Sequence, residues 1–123
     1  MIYQAIICTK SLTIDSAFNH LATLAYFLTS VTQTDNIDSY YKIALSDENT
    51  SQGQGPGDLS FEKNKTTIRI KTDLDCKWDK EVFTSSAEAF IAILEKWEQL
   101  LQENHREIVI TQDGDKITLE GRD

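Results

Sequence analysis

The chain has 123 residues and a formal net charge of −8 at pH 7, with an isoelectric point near 4.7. That length makes one domain around one core, burying roughly two thirds of the surface of the unfolded chain. The negative field repels phosphate backbones and acidic lipid headgroups, which argues against nucleic-acid and membrane partners and draws basic partners in.

The two cysteines, Cys8 and Cys76, are far apart and form no CxxC pattern. A disulfide framework is not expected, and a reducing compartment is. The start, MIYQAIICTK, has no basic n-region and too short an apolar run for a signal peptide. No stretch approaches the ~20 apolar residues that cross a bilayer. The expected compartment is therefore the cytoplasm.

In chain order, IYQAIIC at 2–8 is β-branched and aromatic on both alternating faces, which fits a strand covered on both sides. Cys8, at its end, reads as a small buried side chain. Thr13 can cap a helix, with Asp15 in its first turn. Ile14, Phe18, Leu21, Ala25 and Leu28 then recur on one face. Tyr26 and Phe27 fall off that stripe, roughly 120° and 220° round the wheel from Ile14. Either the helix is packed on two sides, the favoured account, or these aromatics meet a second copy in a homodimer. The polar run 31–39 ends the helix, and YYKIALS at 40–46 alternates like a strand, with Tyr41, Ile43 and Leu45 on one side.

Next comes SDENTSQGQGPGDLSF at 46–61, a glycine-rich excursion expected to be flexible at about 47–57. It leads into a hairpin with Asn64-Lys65 as its turn, pairing Phe61 with Ile68 and Leu59 with Ile70 and leaving Arg69 and Lys71 in water. A second helix follows, started by a Ser85–Glu88 capping box. Phe90, Ile93, Leu94, Trp97, Leu100 and Leu101 form its buried stripe, with Glu88, Glu95, Lys96, Gln99 and Gln102 outside it. EIVITQDGDKITLEG closes the chain as a hairpin with a type I′ turn at Asp113-Gly114, pairing Ile110 with Ile117 and Ile108 with Leu119. The order β-α-β-β-β-α-β-β describes one α+β domain over 1–123, with two helices against a mainly antiparallel sheet.

Motifs of known chemistry are weak. The glycines of the 46–61 run are spaced G-x-G-x-G, not G-x-G-x-x-G, and precede a strand instead of a helix. No Gly-Lys-Ser/Thr is present, and the adjacent carboxylates repel phosphate. Asp113-Gly-Asp115 lacks the rest of a calcium loop. His20 fits an exposed helix face, and His105 a donor at a helix C-terminus. With Cys8 and Cys76 they are zinc-type ligands without zinc-site spacing. A Cys76–histidine dyad has no supporting sequence context. No catalytic residue, metal site or cofactor is assigned.

What remains is charge and one aromatic. From Val31 to Glu62 there are six acidic residues and one basic, Lys42. DLDCKWDKE at 73–81 surrounds Trp78 with carboxylates, and tryptophan in such a setting is a hot-spot type at protein interfaces. Its competing role is as a lid over the core edge. The candidate partner-binding residues are Asp35, Asp38, Asp47, Glu48, Asp58, Asp73, Asp75, Trp78 and Asp79.

In size, acidity and the tail SSAEAFIAILEKWEQLLQ…EIVITQDGDKITLEG, the chain resembles bacterial immunity proteins of toxin–immunity systems, particularly those of contact-dependent growth inhibition. These families vary too widely for a binding residue to be carried over. The resemblance implies a non-enzymatic inhibitor that neutralises a cognate toxin domain through its acidic surface, a basic nuclease being the toxin class that fits. The alternatives are a homo-oligomeric structural or adaptor module and a small carboxylate- or histidine-dependent enzyme.

Overall fold

A computed structural model of the protein describes residues 2–16, 20–46, 50–52, 59–72 and 82–123. Its strands are β1 (Ile2–Cys8), β2 (Thr13–Ser16), β3 (Thr50–Gln52), β4 (Leu59–Asn64), β5 (Thr67–Thr72), β6 (Phe83–Ser86), β7 (Glu107–Asp113) and β8 (Lys116–Arg122). The helices are α1 (His20–Gln33), α2 (Ile37–Leu45) and α3 (Ala87–Gln102). The strands form two antiparallel sheets, ordered β2-β1-β7-β8 and β3-β4-β5-β6. The α+β class stands, with a third helix and a divided sheet.

α1 packs against β1 and β2 of the first sheet and against β5 and β6 of the second. That position explains its composition. Leu21, Ala22, Leu24, Ala25, Phe27, Leu28 and Val31 are all buried, so apolar side chains surround the helix instead of lining one face. Hydroxyls along it bond back to the helix: Thr29 Oγ1 donates to the Tyr26 carbonyl at 3.0 Å and Thr32 Oγ1 to that of Leu28 at 2.8 Å. α3 closes the core from another side, packing on α2, β5, β6 and β8. Phe90, Ile93, Leu94, Trp97 and Leu100 are buried on the expected stripe, and Leu101 is half-buried. Buried residues of both sheets and all three helices make one contiguous cluster.

Several local expectations are corrected. Thr13 does not cap a helix: 13–16 turns back on β1, pairing Cys8 with Thr13 and Ile7 with Ile14, with a register shift beyond. Ile14 therefore meets the core from a strand. YYKIALS is helical. Tyr40 and Ala44, four apart, are its buried side chains, while Leu45 is 68% exposed. Tyr41, Ile43 and Leu45 alternate over only five positions, too few to separate the two periods. The N-cap of α3 is Ser86, not Ser85; its hydroxyl accepts from the Ala89 N–H at 3.1 Å.

Both hairpin turns lie one residue further along. In the first hairpin Phe61 pairs with Ile70, Lys63 with Ile68 and Asn64 with Thr67, around Lys65-Thr66. In the second Ile110 pairs with Leu119 and Asp113 with Lys116, around Gly114-Asp115. Only Gly114 has positive φ (63°) there, the pattern of a type II′ turn; type I′ needs two such residues. The pairings move by two positions, so the inward faces are unchanged and Phe61, Ile68, Ile70, Ile108, Ile110 and Leu119 are buried. Arg69 and Lys71 are exposed, as expected. Lys63 takes an inward position, 3% exposed, and its ammonium donates to the Ser46 carbonyl at the end of α2. Part of the glycine-rich run is ordered as β3, pairing Thr50 with Lys63.

Candidate partner-binding surface

Of the nine residues proposed for partner binding, Asp47, Glu48, Asp58, Asp73, Asp75, Trp78 and Asp79 lie outside the described residues, as does Cys76. Asp35 and Asp38 are described, and both are exposed.

Asp35 has a structural role. It ends α1 in the left-handed region (φ 54°). Its N–H donates to the Thr32 carbonyl at 3.3 Å, and the Asn36 N–H donates to that of Val31 at 2.9 Å. This pair of bonds is a Schellman closure, in which glycine is the unstrained residue. An aspartate here also sits at the negative end of the helix dipole. Asp35→Gly is therefore expected to raise stability by about 0.5–1 kcal/mol, read as an increase of roughly 2–4 °C in Tm. Asp38, by contrast, lies in the first turn of α2, where its charge suits the positive end.

Asp38 also belongs to a group the sequence reading missed. The Tyr41 phenol, one turn on, is hydrogen-bonded to Glu98 of α3, with Glu95 and Asp38 also close enough to act on it. Partial burial, the Glu98 bond and these carboxylates together push its ionisation well above the ordinary tyrosine range. Two packed helices thus bring Asp38, Glu95 and Glu98 around one half-buried aromatic. Spacing could have revealed the group, because Asp38/Tyr41 and Glu95/Glu98 are both i, i+3 pairs on helices. Reading 40–46 as a strand hid the first of them.

Of the aromatic pair Tyr26 and Phe27, the second has no surface to offer a second copy. Phe27 is 0% exposed and Tyr26 is partly buried against the core. α1 is packed by both sheets, and both off-stripe positions have contacts within the chain.

The histidines occupy opposite ends of β7. His20 is half-buried, its Nε2 in a hydrogen bond with Gln112 Oε1 and its ring edge-on to Tyr3 at 4.9 Å; it is not an exposed helix residue. His105 lies beyond α3, with Nε2 at 2.8 Å from Glu103 Oε1 and Nδ1 at 3.2 Å from Asp123 Oδ1. Five residues of β7, about 17 Å of strand, separate Gln112 from Glu107, and His105 lies beyond that end, so the two imidazoles do not share a site. Cys8 is half-buried, not fully buried. Among the described residues no three histidine, cysteine or acidic side chains converge to hold a metal. Among them, too, no helix is long and apolar enough to cross a membrane.

The His105 clamp gives a pH prediction. The bond to Glu103, seconded by Asp123, raises the imidazole above its ordinary 6.5, and the same bond lowers Glu103 below its ordinary 4.5. The histidine's contribution is complete below pH 6.5 and is lost as pH rises through its raised folded value. The glutamate's is present above pH 4.5 and is lost as pH falls through its lowered one. The clamp is tightest between these limits. An NMR titration of the His105 ring protons should show a midpoint above 6.5 that falls in Glu103→Gln.

A groove of about 740 Å³ runs beside β8, bounded by α3 and β6; Lys96 and Asp115 are the charged residues of its lining. Compared with known protein families, curated protein sequences and solved structures, the chain matches none of them.

Proposed function

We propose that this protein is an immunity protein that binds a cognate toxin domain and neutralises it by covering a basic active surface, a nuclease being the class that fits. The observation that carries the reading is uncompensated negative charge: −8 on 123 residues, with Asp38, Glu95 and Glu98 gathered around Tyr41 on α2 and α3. Such a surface accelerates encounter with a basic partner and presents carboxylates where a nuclease expects phosphates. Tyr41 supplies an aromatic anchor among them, the arrangement that concentrates binding energy at interfaces. The acidic runs 46–61 and 73–81 extend the same sign of charge along the sequence.

The test seeks a toxin domain in the gene next to this one, purifies it and mixes it with this protein by stopped flow at increasing salt. A stoichiometric complex is expected, with an association rate falling on the order of tenfold or more between 0.05 and 0.5 M salt. Glu95→Lys, a change at an exposed position, should lower that rate at low salt. An association rate indifferent to salt, or no complex, would sink the proposal.

A further inference from the structure

Among the described residues both sheets are open, so β2, β8, β3 and β6 are edges. Three of them are short, at four, three and four residues, which blunts an edge against pairing with another chain. β8 has seven. Its pairing with β7 closes on Asp113 and Lys116 across a two-residue turn. From that hydrogen-bonded pair the ladder alternates, so Lys116, Thr118, Glu120 and Arg122 direct their backbone groups at β7. Ile117, Leu119 and Gly121 direct theirs outward. Among the described residues no strand pairs with that outer edge.

We propose that two copies of this chain dimerise by antiparallel pairing of β8 with β8 about a two-fold axis at Thr118. Charge selects this register. It sets Lys116 opposite Glu120 twice, at non-hydrogen-bonded positions where facing side chains are closest. Moving the axis to Leu119 sets Lys116 against Arg122, and moving it to Glu120 sets two carboxylates face to face; like charges directly opposite are unfavourable. Moving it to Ile117 leaves Lys116 opposite Thr118 and no charge pair. The Thr118 register also satisfies the hydrogen-bond parity. Ile117 faces Leu119 and Asp115 faces Gly121 with their outward N–H and C=O groups in position to bond.

The side chains agree. Lys116, Thr118 and Glu120 are exposed, while Ile117 is half-buried and Leu119 is 7% exposed on the core side. On that side the groove bounded by Ala89, Ala92 and Ile93 of α3 leaves room for the Ile117 and Leu119 of the second copy. Two chains of charge −8 also repel at long range, and salt near 0.15 M screens this repulsion while the close pairs persist.

Sedimentation velocity at 0.15 M salt, over roughly 1 μM to 1 mM chain, is expected to show a monomer–dimer equilibrium. Glu120→Lys places like charges opposite at two points and should raise the dissociation constant at least about tenfold. The double reversal Lys116→Glu with Glu120→Lys should restore it. Hydrogen exchange should slow with concentration at the Ile117, Leu119 and Gly121 amides and not at exposed amides elsewhere. A monomer throughout the range overturns the proposal. So does a dimer whose affinity ignores the reversals, or one that leaves those three amides unprotected.

Discussion

Phe27→Ala should destabilise the fold by about 3–5 kcal/mol, a large part of the 5–15 kcal/mol available to a domain of this size. The Phe27 ring, from α1, lies 4.9 Å from that of Tyr40, 5.8 Å from Phe61 and 5.7 Å from Phe90. Tyr40 and Phe61 meet at 4.9 Å, and Phe61 and Phe90 at 5.6 Å. The four rings come from α1, α2, β4 and α3, so removing Phe27 opens a cavity where three helices meet the second sheet. Tilted and edge-on ring pairs add to the loss of buried area. Urea denaturation measures the change. Because Phe27 is fully buried, the effect should appear in stability and not in oligomeric state. A stable Phe27→Ala protein with altered self-association would restore the role of this aromatic at a self-interface.

Trp97→Ala should cost a similar amount, about 3–5 kcal/mol. Trp97 is 0% exposed, and its Nε1–H donates to Thr32 Oγ1 at 2.9 Å. The Thr32 hydroxyl in turn donates to the Leu28 carbonyl at 2.8 Å. The indole is both a fully buried part of the α3 stripe and the donor in a bond that ties α3 to α1. Thr32→Val separates these roles: it keeps shape and leaves the indole N–H unpaired, at a cost of about 1–3 kcal/mol. In a cycle with Trp97→Phe the two changes should couple by about 1 kcal/mol, since they remove the same bond. Strictly additive losses would mean that the bond contributes nothing beyond packing.

Much of this architecture was legible in the chain. α3 declares itself because a polar face and an apolar stripe alternate over sixteen residues. The two hairpins were legible in location, and their inward faces were right although each turn is one residue on; only a shift by an odd count inverts the faces. α1 was read from a start that is too early. A helix buried on all sides carries no amphipathic signal to mark its ends, and Ile14 fitted the stripe by coincidence of spacing. The short strands β2, β3 and β6 hold three or four residues each; tertiary pairing, not local preference, makes them strands. The excess of carboxylates could be counted directly. Which of them gather depended on α2 being a helix, so Asp38 was named while Tyr41, Glu95 and Glu98 were not. Asp35 was named for its charge, yet its backbone is what the fold uses.

The most direct test of the central claim is survival. Cells producing the cognate toxin domain that the proposal requires, to be sought in the gene next to this one, should die without this protein and grow when it is co-produced. Protection should weaken when Asp38, Glu95 and Glu98 are replaced together by lysine in a variant shown to fold. Death of the toxin-producing cells despite abundant folded protein would contradict the account.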